Sequence, residues 1–186
     1  MFRLTACIAA LAVSAATHAQ TRDTDTPSGQ PVPRFVSLKF DVANGRSGPS
    51  QAHPIAWRYL RSGLPMEVIA ETQDWRRVRD PEGEVTWMHR SILSGRRSVF
   101  TAQETELRAR AEDDAPLEAI ADAGVVLSLE RCRSGWCRVE GQGYRGWVDA
   151  SHLWGVYSEE RGGDNAADAN GIPNLSATLT RDTALR

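Results

Sequence analysis

The chain has 186 residues, 41% hydrophobic and 25% charged, a balance suited to one mid-sized folded domain or two small ones and too apolar for disorder throughout. No apolar run reaches the roughly 18 residues of a membrane span, which excludes a polytopic membrane protein. A formal net charge of -2 argues against a dedicated nucleic-acid binder.

Charge is unevenly placed. Arg34 to Arg97 holds 11 basic and 7 acidic residues, net +4, and Ser98 to Tyr157 holds 6 basic and 10 acidic, net -4. Such a dipolar chain has two halves that attract each other or face different partners. Lys39 is the only lysine beside 21 arginines, a bias to which no function is attached.

Met1 to Ala19 reads as a secretory signal peptide: Arg3 is the positive start, Leu4 to Ala16 is almost wholly apolar or small, and Ala19 closes a small-residue cleavage site. The apolar stretch is too short to cross a bilayer, so the mature chain is expected in the periplasm or secreted, with no membrane anchor. Leu4-Thr5-Ala6-Cys7 spells a lipobox, but at the start of the apolar run rather than after it, and is read as chance. Gln20 to Pro33, rich in Thr, Asp, Ser, Gly and Pro, reads as a flexible leader, and Ser158 to Arg186 as a disordered polar tail.

Between them lies an internal repeat. Gly63 precedes Trp75 by 12 residues, and Gly124 precedes Trp136 by 12. Each Trp is followed by a Val three residues on, Val78 and Val139, then by a Gly turn and a second Trp, Trp87 and Trp147, and finally by Leu93 and Leu153. Met66 to Ala70 and Val125 to Leu129 read as strands, as do the segments around each Trp, with Gly, Asp and Pro between them. One stretch disagrees: Thr101 to Ala123 is rich in Ala, Glu, Arg and Leu and by propensity favours a helix. The repeat instead aligns Leu107-Arg108-Ala109-Arg110 with Ala43-Asn44-Gly45-Arg46, a strand entering a loop, and that reading is preferred.

Asn44-Gly45-Arg46-Ser47-Gly48-Pro49-Ser50, then His53-Pro54, Gly63, Trp75-x-x-Val78, Trp87 and Leu93, resembles a bacterial SH3-like domain. The second unit is similar, keeping Pro116, Gly124, Trp136, Val139, Gly146-Trp147 and Leu153 without the Ser-Gly-Pro segment. Its ending, Leu153-Trp154-Gly155-Val156-Tyr157, resembles the close of exported proteobacterial proteins that carry two such domains. The resemblance implies an all-β chain of two small SH3-like barrels in tandem, residues 34–97 and 98–157. It further implies a non-enzymatic module that binds a peptide or a cell-wall component such as peptidoglycan, and the opposite charges of the two halves predict a monomer with its barrels packed together. The alternative is an accessory subunit that docks on a cell-envelope enzyme. Gly45 and Met88 stand where such domains more usually carry valine.

Catalytic and metal chemistry find little support. His53, His89 and His152 are widely separated, so no metal or other cofactor is expected. Neither a Gly-x-Ser-x-Gly elbow nor a phosphate-cradling Gly loop before a helix occurs. Asp113-Asp114 reads as solvated loop charge. The recurrence of Trp75, Val78, Trp87, Trp136, Val139 and Trp147 assigns them to the structural core, the tryptophans by packing in the barrel core or at its rim in preference to ligand contact. Trp57 and Tyr59 have no aromatic counterparts in the second unit and are flanked by Arg58 and Arg61. With Arg46 they form the candidate ligand-binding set, through stacking and anion binding, unless the two aromatics pack on the second unit instead.

Cys132 and Cys137 flank Arg133-Ser134-Gly135-Trp136, whose Ser-Gly pair suits a tight hairpin turn. Across such a hairpin they are directly opposed, with Cα atoms roughly 4.5 Å apart, within reach of a disulfide in an exported protein. The adjacent Arg133 and Arg138 leave a redox-active pair as the functional alternative. Glu71 and Arg76 occupy the matching positions of the first unit, where a salt bridge is expected to hold the hairpin more weakly.

Overall fold

The computed structural model describes residues 23–162. The signal-like segment, Cys7 and the tail beyond Gly162 lie outside the described residues. The described chain forms two antiparallel sheets of seven strands each. The first contains β1 Arg34–Leu38, β2 Ala43–Arg46, β3 Ile55–Tyr59, β4 Pro65–Glu71, β5 Trp75–Arg79, β6 Val85–His89 and β7 Leu93–Ser94. The second contains β8 Ser98–Thr101, β9 Thr105–Arg108, β10 Leu117–Ala121, β11 Val126–Arg133, β12 Trp136–Gly141, β13 Tyr144–Asp149 and β14 Leu153–Trp154. Strand order is β3-β2-β6-β5-β4-β1-β7 in one and β10-β9-β13-β12-β11-β8-β14 in the other, the same topology position for position. The repeat in the sequence is thus a repeat of whole barrels.

Alternation along the strands builds each core. Met66, Val68, Val78 and Met88 are fully buried in the first barrel, and Leu107, Leu127, Val139 and Val148 in the second. The helix-prone stretch Thr101 to Ala123 forms β9 and β10, because Leu107, Ala119 and Ala121 recur at the period of a strand and face that core. In the β11–β12 hairpin, Ser134 and Gly135 both take positive φ (47° and 79°), the backbone of a tight primed turn. Cys132 lies opposite Cys137 and the two form a disulfide, with Cα atoms 4.0 Å apart.

The β4–β5 hairpin is closed by ions. Glu71 lies opposite Arg76, and its carboxylate, with 1% of the side chain exposed, bonds to Arg76 at 2.9 Å and Arg34 at 2.6 Å. The Ser28 amide donates to its other oxygen at 2.8 Å. Burial pushes the Glu71 pKa up, but the hydrogen bonds from Ser28 and Arg34 and the Arg34 charge outweigh it and hold it at about 2.

Both predicted flanks differ at their inner ends. Residues 23–33 close a turn through paired backbone bonds between Asp23 and Val32, and Ser28 and Arg34 tie this turn to Glu71. Ser158–Arg161 forms a short 3-10 turn whose Arg161 donates to the carbonyls of Ala150 and Leu153. Buried polar partners order both segments where composition alone reads as mobile.

The barrels meet through apolar and backbone-directed contacts. Phe35 of β1 stacks edge-on against Trp154 and packs on Tyr157, whose hydroxyl oxygen accepts from the Phe35 amide. Phe100 of β8 and Val126 of β11 pack into the first barrel's core cluster. The Ser98 hydroxyl donates to the Gly63 carbonyl at 2.5 Å.

Candidate functional site

The five residues of the candidate ligand set separate into four places. Tyr59 is buried; its hydroxyl donates at 2.9 Å to Asp80, which is 1% exposed. Burial, then the Asp80 charge, raises the Tyr59 pKa, and burial raises that of Asp80, so the pair is a proton-bearing core contact and no ligand face. Arg61 donates to the Gly124 carbonyl at 2.8 Å and belongs to the barrel interface. Trp57 lies at the sheet edge on the same side of β3 as Tyr59, tilted against that ring at 6.4 Å and 43% exposed. Arg46 and Arg58 point the other way, onto the outer face.

That outer face brings together residues that sequence reasoning did not combine. Arg46 of β2 lies opposite Trp87 of β6, and Trp87 opposite Arg77 of β5, an Arg–Trp–Arg row across three strands. Arg58 lies opposite Asn44 one step along. Trp87 is half-buried and Arg58 and Arg77 are exposed. Among the described residues no carboxylate pairs with Arg46, Arg58 or Arg77; Arg46 donates to the His53 carbonyl at 2.7 Å, bracing the loop between β2 and β3. A planar guanidinium on either side of an indole suits carboxylate pairing with apolar stacking between.

The second barrel carries the same row, Arg108–Trp147–Arg138, closed from within. Arg108 pairs with Glu106 and Arg138 with Glu130. Arg131 and Arg133 lie over the Trp147 ring at 5.5 and 4.4 Å, leaving it 5% exposed. Register shows why the first barrel differs: Asn44 stands in the slot of Glu106, Ile69 in that of Glu130, Ala70 in that of Arg131 and Thr72 in that of Arg133. Next to the closed row lies a cleft of about 390 Å³ lined by Glu106, Ile120, Trp136 and Asp149 among others. The matching positions of the first barrel hold Asn44, Arg58, Trp75 and His89, so the same surface is acidic in one barrel and basic in the other.

The assignment to the core is corrected for Trp75, Trp87 and Trp136. Val78, Val139 and Trp147 are buried, Trp147 with Arg131 and Arg133 over its ring, but Trp75, Trp87 and Trp136 are half-buried on the outer faces. A Trp three residues before a buried Val must face the opposite side of a strand. Trp75 packs edge-on against His89 at 5.4 Å. Among the described residues no three His, Cys, Asp or Glu side chains converge as a metal site would require.

A family profile described as Bacterial SH3 domain matches residues 39–95 and 101–155, more than half of the chain. No curated protein matches it. Among solved structures, NlpC2 from Trichomonas vaginalis matches at 12% identity and a TM-score of 0.33, over 69% of this chain and 50% of that one. NlpC1 from the same organism matches at 12% identity and 0.31, over 78% and 50%. The chain thus spans about half the length of these structures. The two profile matches fall one on each barrel, and the chain belongs to the bacterial SH3 domain family, whose domain it carries twice in tandem.

Proposed function

We propose that this chain is a non-enzymatic, exported binding module whose first barrel binds a peptide or a cell-wall polymer such as peptidoglycan. The observation that carries the reading is the outer face of the first barrel, where Arg46, Trp87, Arg77 and Arg58 stand without a carboxylate partner among the described residues. The second barrel neutralises its own copy of this row, so the difference is particular to the first. Export rests on the signal-like Met1 to Ala19. Co-sedimentation of the mature protein with insoluble peptidoglycan tests the reading: retention in the pellet, reduced by added salt and by Trp87→Phe, is expected. A protein that stays in the supernatant at low salt ends the cell-wall form of the reading.

A second reading, an accessory subunit for an envelope enzyme, is favoured by the sheet edge. β3 is the outermost strand and presents Ile55 and Trp57, with Leu60 beyond it, all exposed. Failure to sediment, together with loss of an envelope enzyme's activity on deletion of this protein and its return on adding the purified chain, selects this reading over the first.

A further inference from the structure

The two barrels together narrow the chemistry of the ligand. They share topology, register and the Arg–Trp–Arg row, so the second serves as a built-in control for the first. In the second barrel, Glu106 and Glu130 take the places that ligand carboxylates would occupy, and Arg131 and Arg133 cover the ring. In the first barrel each of these four positions holds an uncharged residue, Asn44, Ile69, Ala70 or Thr72. The row of arginines is kept and its internal counter-ions are missing.

Resting on the reading of the first barrel as the binding half, we infer that its outer face takes an acidic peptide segment, and that each chain takes one. Charge complementarity selects the occupant: Arg46, Arg58 and Arg77 lie in the half of the chain with net charge +4. Spacing shapes it. Neighbouring strands lie about 4.8 Å apart, so the backbones of Arg46 and Arg77, on either side of Trp87, stand about 10 Å apart. A peptide in polyproline II conformation, with about three residues per turn and about 3.1 Å rise per residue, covers that distance between residues i and i+3 on one face, which places two carboxylates on the guanidiniums with small or apolar residues over the indole. The second barrel's matching surface excludes such a segment twice: its arginines are already paired, and the adjacent cleft is lined by Glu106 and Asp149.

The test is titration of the mature, oxidised chain at low salt with the capped peptide Glu-Ala-Ala-Glu-Ala-Ala-Glu and its glutamine analogue, followed by calorimetry and barrel-resolved NMR. The expected result is one glutamate peptide per chain, a shifted Trp87 indole signal, and binding at least about tenfold weaker for the glutamine analogue. Arg77→Gln, at an exposed position, weakens binding about three- to tenfold, while Arg138→Gln in the second barrel leaves it unchanged. Equal affinity for the two peptides, two peptides per chain, a response at Trp147 in place of Trp87, or an Arg77→Gln protein that binds normally each overturns the inference. So does binding of a carboxylated glycan with no binding of the peptide. Failure here leaves the broader reading standing if the protein still sediments with peptidoglycan; loss of sedimentation alongside intact peptide binding ends the cell-wall form of that reading and not this inference.

Discussion

Glu71 and Arg76 in the first barrel hold the register positions that Cys132 and Cys137 hold in the second, and the two hairpins are closed by different chemistry. The disulfide is self-contained, since both sulfur atoms belong to the hairpin they close. The ion cluster draws partners from outside it: Arg34 at the start of β1 and the amide of Ser28 both converge on Glu71. A buried carboxylate needs every one of those partners to offset its lost hydration, so the hairpin's integrity becomes tied to the segment before the barrel. One slot in one fold therefore gives an autonomous hairpin in the second barrel and a hairpin coupled to residues 23–34 in the first.

The largest expected effect tests that coupling. Glu71→Ala leaves Arg34 and Arg76 buried and uncompensated and should destabilise the first barrel by about 3–5 kcal/mol. Denaturant titration read separately for each barrel by NMR measures it. A cost under about 1 kcal/mol, typical of an exposed pair, would reduce the cluster to a surface salt bridge.

Acid should reach the same cluster without mutation. A pKa held at about 2, below the ordinary carboxylate value, means that the stabilisation is complete above the unfolded-state pKa and is lost as pH falls through about 2. The loss, on the order of 3 kcal/mol, belongs to the first barrel. Amide exchange followed from pH 6 to pH 2 should show β4–β5 opening while the oxidised β11–β12 hairpin stays protected. Simultaneous opening of both would place the acid-sensitive group elsewhere.

Reduction is the smaller converse. The Cys132–Cys137 loop spans a sequence separation of only 5, so its removal should cost the second barrel about 2 kcal/mol, near the low end for disulfides. Urea midpoints with and without reductant measure this. A fall in the first barrel's stability of similar size would show that the staples are not independent.

How much of this was legible depended on the range of the interaction. Spacings of Gly and Trp revealed the repeat, because each barrel reuses the same turns, and the Ser134-Gly135 turn fixed the cysteine register from six consecutive residues. The pairing of Glu71 with Arg76 followed from the same register, but its burial did not, since Arg34 and Ser28 approach from a distant part of the chain. The outward direction of Trp75 was available in the sequence: an odd spacing to Val78 puts the two on opposite faces. Recurrence at Trp75 and Trp136 marks a repeated outer-face position and not burial. The Arg46–Trp87–Arg77 row was not available, because it needs the non-sequential adjacency of β2 and β6. Tyr59 looked like a ligand residue for lack of sight of Asp80, its buried acceptor.

The smallest effect concerns how the two cores solve one crowded row. In the first barrel Trp57 lies opposite Gly45, which abuts Thr86 of β6 diagonally; in the second, Ala119, Leu107 and Gly146 occupy the same three places. The glycine has changed strands. A Cβ at position 45 would lie 2.5 Å from the Thr86 hydroxyl oxygen, and one at position 146 would lie 2.8 Å from the Leu107 Cβ. Gly45→Leu alone should therefore overpack the first barrel and cost about 1–3 kcal/mol. Adding Thr86→Gly and Trp57→Ala imports the second barrel's three residues and should return stability to within about 1 kcal/mol of the parent, since room for the new side chain is made at position 86 and the larger loss at position 57 falls at a partly exposed site. The triple variant also removes the exposed Trp57 ring while leaving the outer Arg46–Trp87–Arg77 row in register. Recovery of stability by thermal melting, with binding of the acidic peptide retained, would show that core packing and the outer face vary independently in this fold. A triple variant as unstable as Gly45→Leu would mean that the rows are not equivalent and that the polar pair Tyr59–Asp80 beneath Trp57 fixes the first barrel's solution.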